Sequence, residues 1–183
     1  MRIERFEIEG PLLFFPKRHG DERGFFVETF RQDVFEREAG VYRFVQDNHS
    51  FSARKGTLRG LHYQAPPAAQ GKLVRVTRGA VFDVAVDIRH GSPTFGRHVA
   101  VTIDAGEGQV FWIPPGFLHG FCTLGENTDF LYKVTDYYSP EHDGSVCWND
   151  PDLAIEWPSA VDEATLSGKD RVAPRLRDLP RIF

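Results

Sequence analysis

Cysteine is scarce in this chain. Cys122 and Cys147 are the only two in 183 residues, and they form no Cys-x-x-Cys pair. That excludes a disulfide scaffold and a thiolate metal site, and it predicts reduced, buried thiols in a cytoplasmic protein. No run of about 18 apolar residues occurs, so no membrane-spanning helix is predicted. The opening Met1-Arg2-Ile3-Glu4-Arg5 is charged and lacks the apolar stretch of a signal peptide. Net basic charge is lacking too: 22 Lys and Arg stand against 26 Asp and Glu, giving −4. Without a basic field the chain is not suited to nucleic acid, and an anionic ligand must be held by a few placed cations. Long amphipathic helical patterns, internal repeats and low-complexity tracts are missing as well.

What is present points to β structure. Glycine (17) and proline (12) are scattered, and aromatics reach 13%. The length predicts one domain, residues 1–183. Residues 2–8 read as a strand, 31–38 as a short helix closed by Gly40, and 43–134 as short β runs between turn signals. Gly20 to Gly24 reads as a charged loop, and Ala164 to Arg171 as a turn or short helix. In the clearest run Phe82, Val84, Val86 and Ile88 alternate with Val81, Asp83, Ala85 and Asp87. Period two predicts that two packed sheets bury the first face, while the second lines a polar cavity or meets water. The predicted fold class is all-β, a two-sheet jelly roll or β-barrel with a few short helices and a mouth for a small ligand.

Three chemical groups fall on strand-like segments. His62 in Arg59-Gly60-Leu61-His62-Tyr63-Gln64 offers a base, Lys72 in Gln70-Gly71-Lys72-Leu73-Val74-Arg75 a cation, and Tyr132 in Phe130-Leu131-Tyr132-Lys133 an acid. Parity puts Leu58, Gly60 and His62 on one face, Lys72 with Val74 on another, and Tyr132 with Phe130 on a third. If these faces line one cavity, the three groups converge. Base, fixed cation and acid are what proton abstraction beside a carbonyl needs. A hydrolase needs a nucleophile or a metal, and neither is evident.

Pro114-Pro115-Gly116-Phe117-Leu118-His119 carries the Pro-x-Gly-x-x-His signature of the cupin jelly roll, with a core expected over about 20–150. Where cupins place their His-x-His pair this chain has His62-Tyr63-Gln64, so metal ligands are missing and no metal is expected. Further segments resemble the dTDP-4-dehydrorhamnose 3,5-epimerase family from about residue 3 to 175. They include Gly20 to Phe26, Gln46-Asp47-Asn48-His49-Ser50, Val81 to Arg89, Tyr137-Tyr138-Ser139-Pro140, Trp148-Asn149-Asp150-Pro151 and Leu166-Ser167-Gly168-Lys169-Asp170.

That resemblance implies a cofactor-independent epimerase acting on a dTDP-4-keto-6-deoxy sugar. His62 would be the base, Lys72 the cation at the ketone oxygen and Tyr132 the acid. Asp170 matches the family partner of His62, with Asp83 as a competitor. Arg23 and Arg59 match diphosphate-binding residues, and Tyr138 matches a residue that stacks on thymine, with Phe26 as apolar cover. Glu28, Gln46, Asp47, Asn48, His119 and Lys169 match ligand contacts, although His119 is equally a remnant of the fold. Asp143 stands where many relatives carry glutamate, with a shorter reach. Arg59 and His62 have opposite parity, so a bulge near Gly60 is required if both face the ligand. Tyr137 is expected to pack in the core, Asp87 with Arg89 to form a solvated or interface face, and His19, His49, His90, His98 and His142 to have no role in the chemistry. A homodimer is implied, with the N-terminal strand pairing across subunits. The rival readings are a single-position epimerase, a metal-dependent cupin and a non-catalytic nucleotide-sugar binder.

Overall fold

Two antiparallel sheets face each other in the computed structural model, which describes residues 1–158 and 161–183. The first has six strands in the order β1 (Arg2–Arg5), β2 (Leu12–Phe15), β10 (Val110–Ile113), β7 (Lys72–Arg78), β12 (Thr128–Val134) and β5 (Gln46–Ser52). The second has five: β13 (Asp143–Ser145), β6 (Leu58–Gln64), β11 (Phe117–Thr123), β8 (Ala80–Asp87) and β9 (His98–Asp104). β3 (Arg18–Asp21) and β4 (Gly24–Val27) form a separate hairpin, so the predicted charged loop is its turn. Two short α-helices, α1 (Gln32–Ala39) and α2 (Gly168–Arg171), lie outside the sheets. Gly40 caps α1 at φ +95° and donates its N–H to the Glu36 carbonyl, as its position predicted.

Alternation along the strands sorts the apolar residues into three cores. Val74, Val76, Phe111 and Phe130 from the first sheet meet Val81, Ala85, Phe117 and Phe121 from the second. The outer side of the first sheet is closed by Phe35 of α1, which packs edge-on against Trp112 at 5.0 Å. The outer side of the second sheet is closed by Leu153, Leu176, Trp157 and Phe183.

β8 corrects a sequence expectation. Its apolar face, with Val84, Val86 and Ile88, lies under the C-terminal segment and not between the sheets. The Val81, Asp83, Ala85 face looks inward. Periodicity finds an amphipathic strand but does not say which layer covers the apolar side. Asp87 is likewise not a solvated residue: it is fully buried and takes hydrogen bonds from Arg89, Ser92 and Thr94. Cys122 is buried and free as expected, whereas Cys147 is half-buried and donates to Asn149.

Among the described residues no helix is long and apolar enough to cross a membrane.

Candidate active site

The site begins with a register irregularity in β6. Across the β6–β11 ladder His62 pairs with His119 and Arg59 with Phe121. Three steps along β6 therefore answer two along β11, which is a bulge of one residue. Gly60 permits it. Its φ is +128°, and a Cβ there would lie 2.5 Å from the Cα of Gly120. The bulge brings Arg59 and His62 to one face, as the sequence required. It also moves Leu58, expected beside His62, to the opposite face, where it pairs with Cys122.

Two histidine–carboxylate pairs follow. His62 Nε2 lies 2.6 Å from Asp170 Oδ1, with His62 partly open and Asp170 buried. Ser167 Oγ accepts the Asp170 N–H at 3.1 Å and fixes the start of α2. Burial acts to raise the Asp170 pKa, but the hydrogen bond and charge of His62, with help from Ser167 and Lys169, hold it below the ordinary carboxylate value. Asp170 thus stays ionised and is placed to accept an N–H from His62 Nε2. Asp83, the rival partner, bonds His119 Nε2 at 3.0 and 3.1 Å. Burial raises the Asp83 pKa and lowers that of His119.

Lys72 and Tyr132 come from the facing sheet. Tyr132 pairs with Val74, two residues along β7 from Lys72, so both side chains point inward. Burial lowers the Lys72 pKa to about 8, opposed by the charges of Asp143 and Asp83. Burial raises the Tyr132 pKa, opposed by the charge of Arg59. His62, Lys72 and Tyr132 line one cleft of about 420 Å³, together with Gln46, Asn48 and Asp143. Tyr138 and Lys169 stand at the same cleft. Asp143 belongs there despite its shorter reach: Lys169 Nζ sits 2.5 Å from its Oδ2, and the Tyr138 hydroxyl donates to it at 3.4 Å.

Several predicted residues lie elsewhere within this chain. Asp47 points outward and pairs with Lys133 at 2.8 Å. Arg23 and Phe26, on the β3–β4 hairpin, and Glu28 just beyond it are all exposed, with Phe26 71% open. Tyr137, expected in the core, is 65% exposed, because its strand has ended and the chain has turned toward solvent. Conversely, Tyr63, Gln64 and Gln70 line the cleft and were not singled out. Gln64 donates to the Tyr137 carbonyl at 2.9 Å and accepts from the Ser139 N–H at 2.8 Å, so it holds the loop carrying Tyr138. The signal was a polar amide ending the His62-Tyr63-Gln64 run. Among the described residues no group of three or more His, Cys, Asp or Glu side chains is placed to hold a metal ion.

Residues 5–178 match the family profile for dTDP-4-dehydrorhamnose 3,5-epimerase. The enzyme of that name from Pseudomonas aeruginosa is 52% identical over 179 residues, 97% of each chain. A dTDP-6-deoxy-D-glucose-3,5-epimerase from Legionella pneumophila, solved in complex with dTDP-4-keto-L-rhamnose, is 50% identical with TM-score 0.92, covering 98% of this chain and 94% of that one. A 3'-monoepimerase from Streptomyces bikiniensis, in complex with dTDP-quinovose, is 37% identical with TM-score 0.88, covering 94% and 86%. By profile, by sequence and by fold, the chain belongs to the dTDP-4-dehydrorhamnose 3,5-epimerase family of carbohydrate epimerases.

Proposed function

We propose that this protein converts dTDP-4-keto-6-deoxy-D-glucose to dTDP-4-keto-L-rhamnose by inverting C3 and C5, a step of dTDP-L-rhamnose biosynthesis. The observation that carries this reading is the placement of His62 and Tyr132 on opposite sheets, facing one cleft with Lys72 beside them. A sugar ring held between the sheets has a base on one face and an acid on the other. His62 Nδ1 takes the proton from the carbon next to the ketone. The C–H electron pair moves into the carbonyl, and the enolate oxygen is stabilised by the Lys72 ammonium. The Tyr132 phenol returns a proton to the opposite face. Its raised pKa keeps it protonated at neutral pH. Solvent then reprotonates the phenolate and accepts the His62 proton, so the cycle closes without metal or cofactor. On this reading Arg59 and Lys169 hold the diphosphate, Tyr138 stacks on thymine, and Gln46, Asn48 and His119 orient the ligand.

Proton NMR of the ketosugar in deuterated water tests this. Deuterium at both C3 and C5, without added metal or cofactor, is the expected result. The 3'-monoepimerase relative keeps a second reading alive, in which one carbon alone is inverted. Exchange confined to one carbon selects that reading, and no exchange rules out both.

The exposed hairpin bears on assembly. Arg23, Phe26 and Glu28 match ligand-binding residues, yet they stand outside the cleft of their own chain. We propose a homodimer in which each hairpin reaches the cleft of the partner subunit. Strand β1 is the edge of its sheet and is free to contribute to the same contact. Mixing Arg23→Ala subunits with His62→Ala subunits tests the arrangement. Recovery of activity on mixing is expected. No recovery, or a monomer in sedimentation, rules out the shared cleft.

A further inference from the structure

Among the described residues, Ser50 Oγ is the only buried side-chain nitrogen or oxygen without a hydrogen-bond partner. A hydroxyl can rotate to suit a nearby carbonyl, and a buried one left unpaired is disfavoured, so such a group calls for an explanation. Its position supplies one. On β5 the inward residues are Gln46, Asn48 and Ser50, and the first two line the cleft. Asn48 pairs across the ladder with Tyr132, and Ser50 pairs with Phe130.

The residues around the cleft fall into layers. Asn48, Tyr132, His62 and His119 occupy one level, being paired as Asn48 with Tyr132 and His62 with His119. One step along the strands lie Ser50 with Phe130, and Arg59 with Phe121. Phe121 stacks on Phe130 at 4.1 Å and ties the two sheets together at that level. Arg59 reaches over to β5, where its guanidinium donates to the Phe51 carbonyl at 3.4 Å. Ser50 therefore shares a layer with Arg59, directly beside the layer that holds the base and the acid.

We infer that Ser50 is a further substrate-positioning residue, whose hydroxyl hydrogen-bonds an oxygen of the sugar-diphosphate part of the ligand. This deepens the epimerase reading and rests on it. Asn48 and Arg59 then bracket the same portion of the ligand from either side, and Ser50 sets its depth relative to His62 and Tyr132. The hydroxyl serves as donor to a phosphoryl oxygen, or as donor or acceptor to a sugar hydroxyl.

Ser50→Ala separates this role from a structural one. Removing an unpaired buried hydroxyl should leave Tm unchanged or raise it. Removing a ligand contact should weaken binding by roughly 3- to 10-fold, the worth of one neutral hydrogen bond. KM for the dTDP-ketosugar is measured together with dTDP affinity by calorimetry. A higher KM with weaker dTDP binding places the contact on a phosphoryl oxygen, and a higher KM alone places it on the sugar. An unchanged KM and affinity overturns the inference. So does a fall in Tm that accompanies the kinetic change, since the hydroxyl would then be part of the fold. If the wild type shows no turnover, the epimerase reading fails by itself, and the dTDP arm still reads Ser50.

Discussion

Replacing His62 by alanine is expected to lower kcat by about 10²- to 10⁴-fold, the usual worth of a positioned general base. Affinity for dTDP should change little, because on the proposed mechanism His62 acts on the sugar carbons and not on the nucleotide. Deuterium exchange at C3 and C5 should fall in step with turnover, since both need the same proton abstraction. The Asp170 partnership adds a second readout. Asp170 lies 2.6 Å from His62 Nε2, and on the proposed mechanism it selects the tautomer that leaves Nδ1 bare. The pair therefore acts as a unit, and Asp170→Ala added to His62→Ala should cost little beyond the single change. Additive losses would mean that Asp170 acts on the substrate independently. Retention of full exchange by His62→Ala would remove it as the base, leaving His119, the other histidine at this level, as the group to test.

How much of this was legible in the sequence follows from what local pattern can encode. Short β runs, the α1 helix with its Gly40 cap and the convergence of His62, Lys72 and Tyr132 all rest on period-two alternation and turn chemistry. The bulge was legible as a contradiction: Arg59 and His62 could not both face a ligand unless Gly60 gave way, and the ladder gains its extra residue there. What alternation does not carry is which layer covers a face. β8 has one face toward the other sheet and one toward the C-terminal segment, and both are buried, so hydrophobicity alone named the wrong one. The partners of Asp83 and Asp170 were undecided for a related reason. On the neighbouring strands β8 and β11 Asp83 pairs with Phe121 and reaches His119 diagonally through its side chain, and α2, distant in sequence, delivers Asp170 to His62. Asp47 and Asn48 show the limit of carrying a motif over as a block. Adjacent residues on a strand point to opposite faces, so Asn48 lines the cleft while Asp47 meets Lys133 outside.

Lys72 should make the rate fall on the alkaline side, and its removal should cost about 10²- to 10³-fold in kcat, the typical loss of one oxyanion-stabilising group. Burial disfavours the ammonium and brings its pKa from the ordinary lysine value to about 8. On the proposed mechanism the charged form is the one needed at the enolate oxygen. It is present below pH 7 and lost as pH rises through about 8, so kcat/KM should fall tenfold per pH unit beyond that point. The carboxylates of Asp143 and Asp83 act against this loss, while Lys169 acts with burial. His119, held by Asp83, adds no charge on that side of the cleft at alkaline pH, because burial lowers its pKa. Lys72→Met should remove the alkaline limb along with the rate, because no group titrating near 8 would then control the reaction. Lys72→Arg keeps the charge at all working pH values and should move the limb upward even where the longer fork positions the oxygen poorly. An alkaline limb that stays near 8 in Lys72→Met would assign it to another group. A kcat within a few fold of wild type in that variant would remove Lys72 from the chemistry and leave enolate stabilisation to His119 or to solvent.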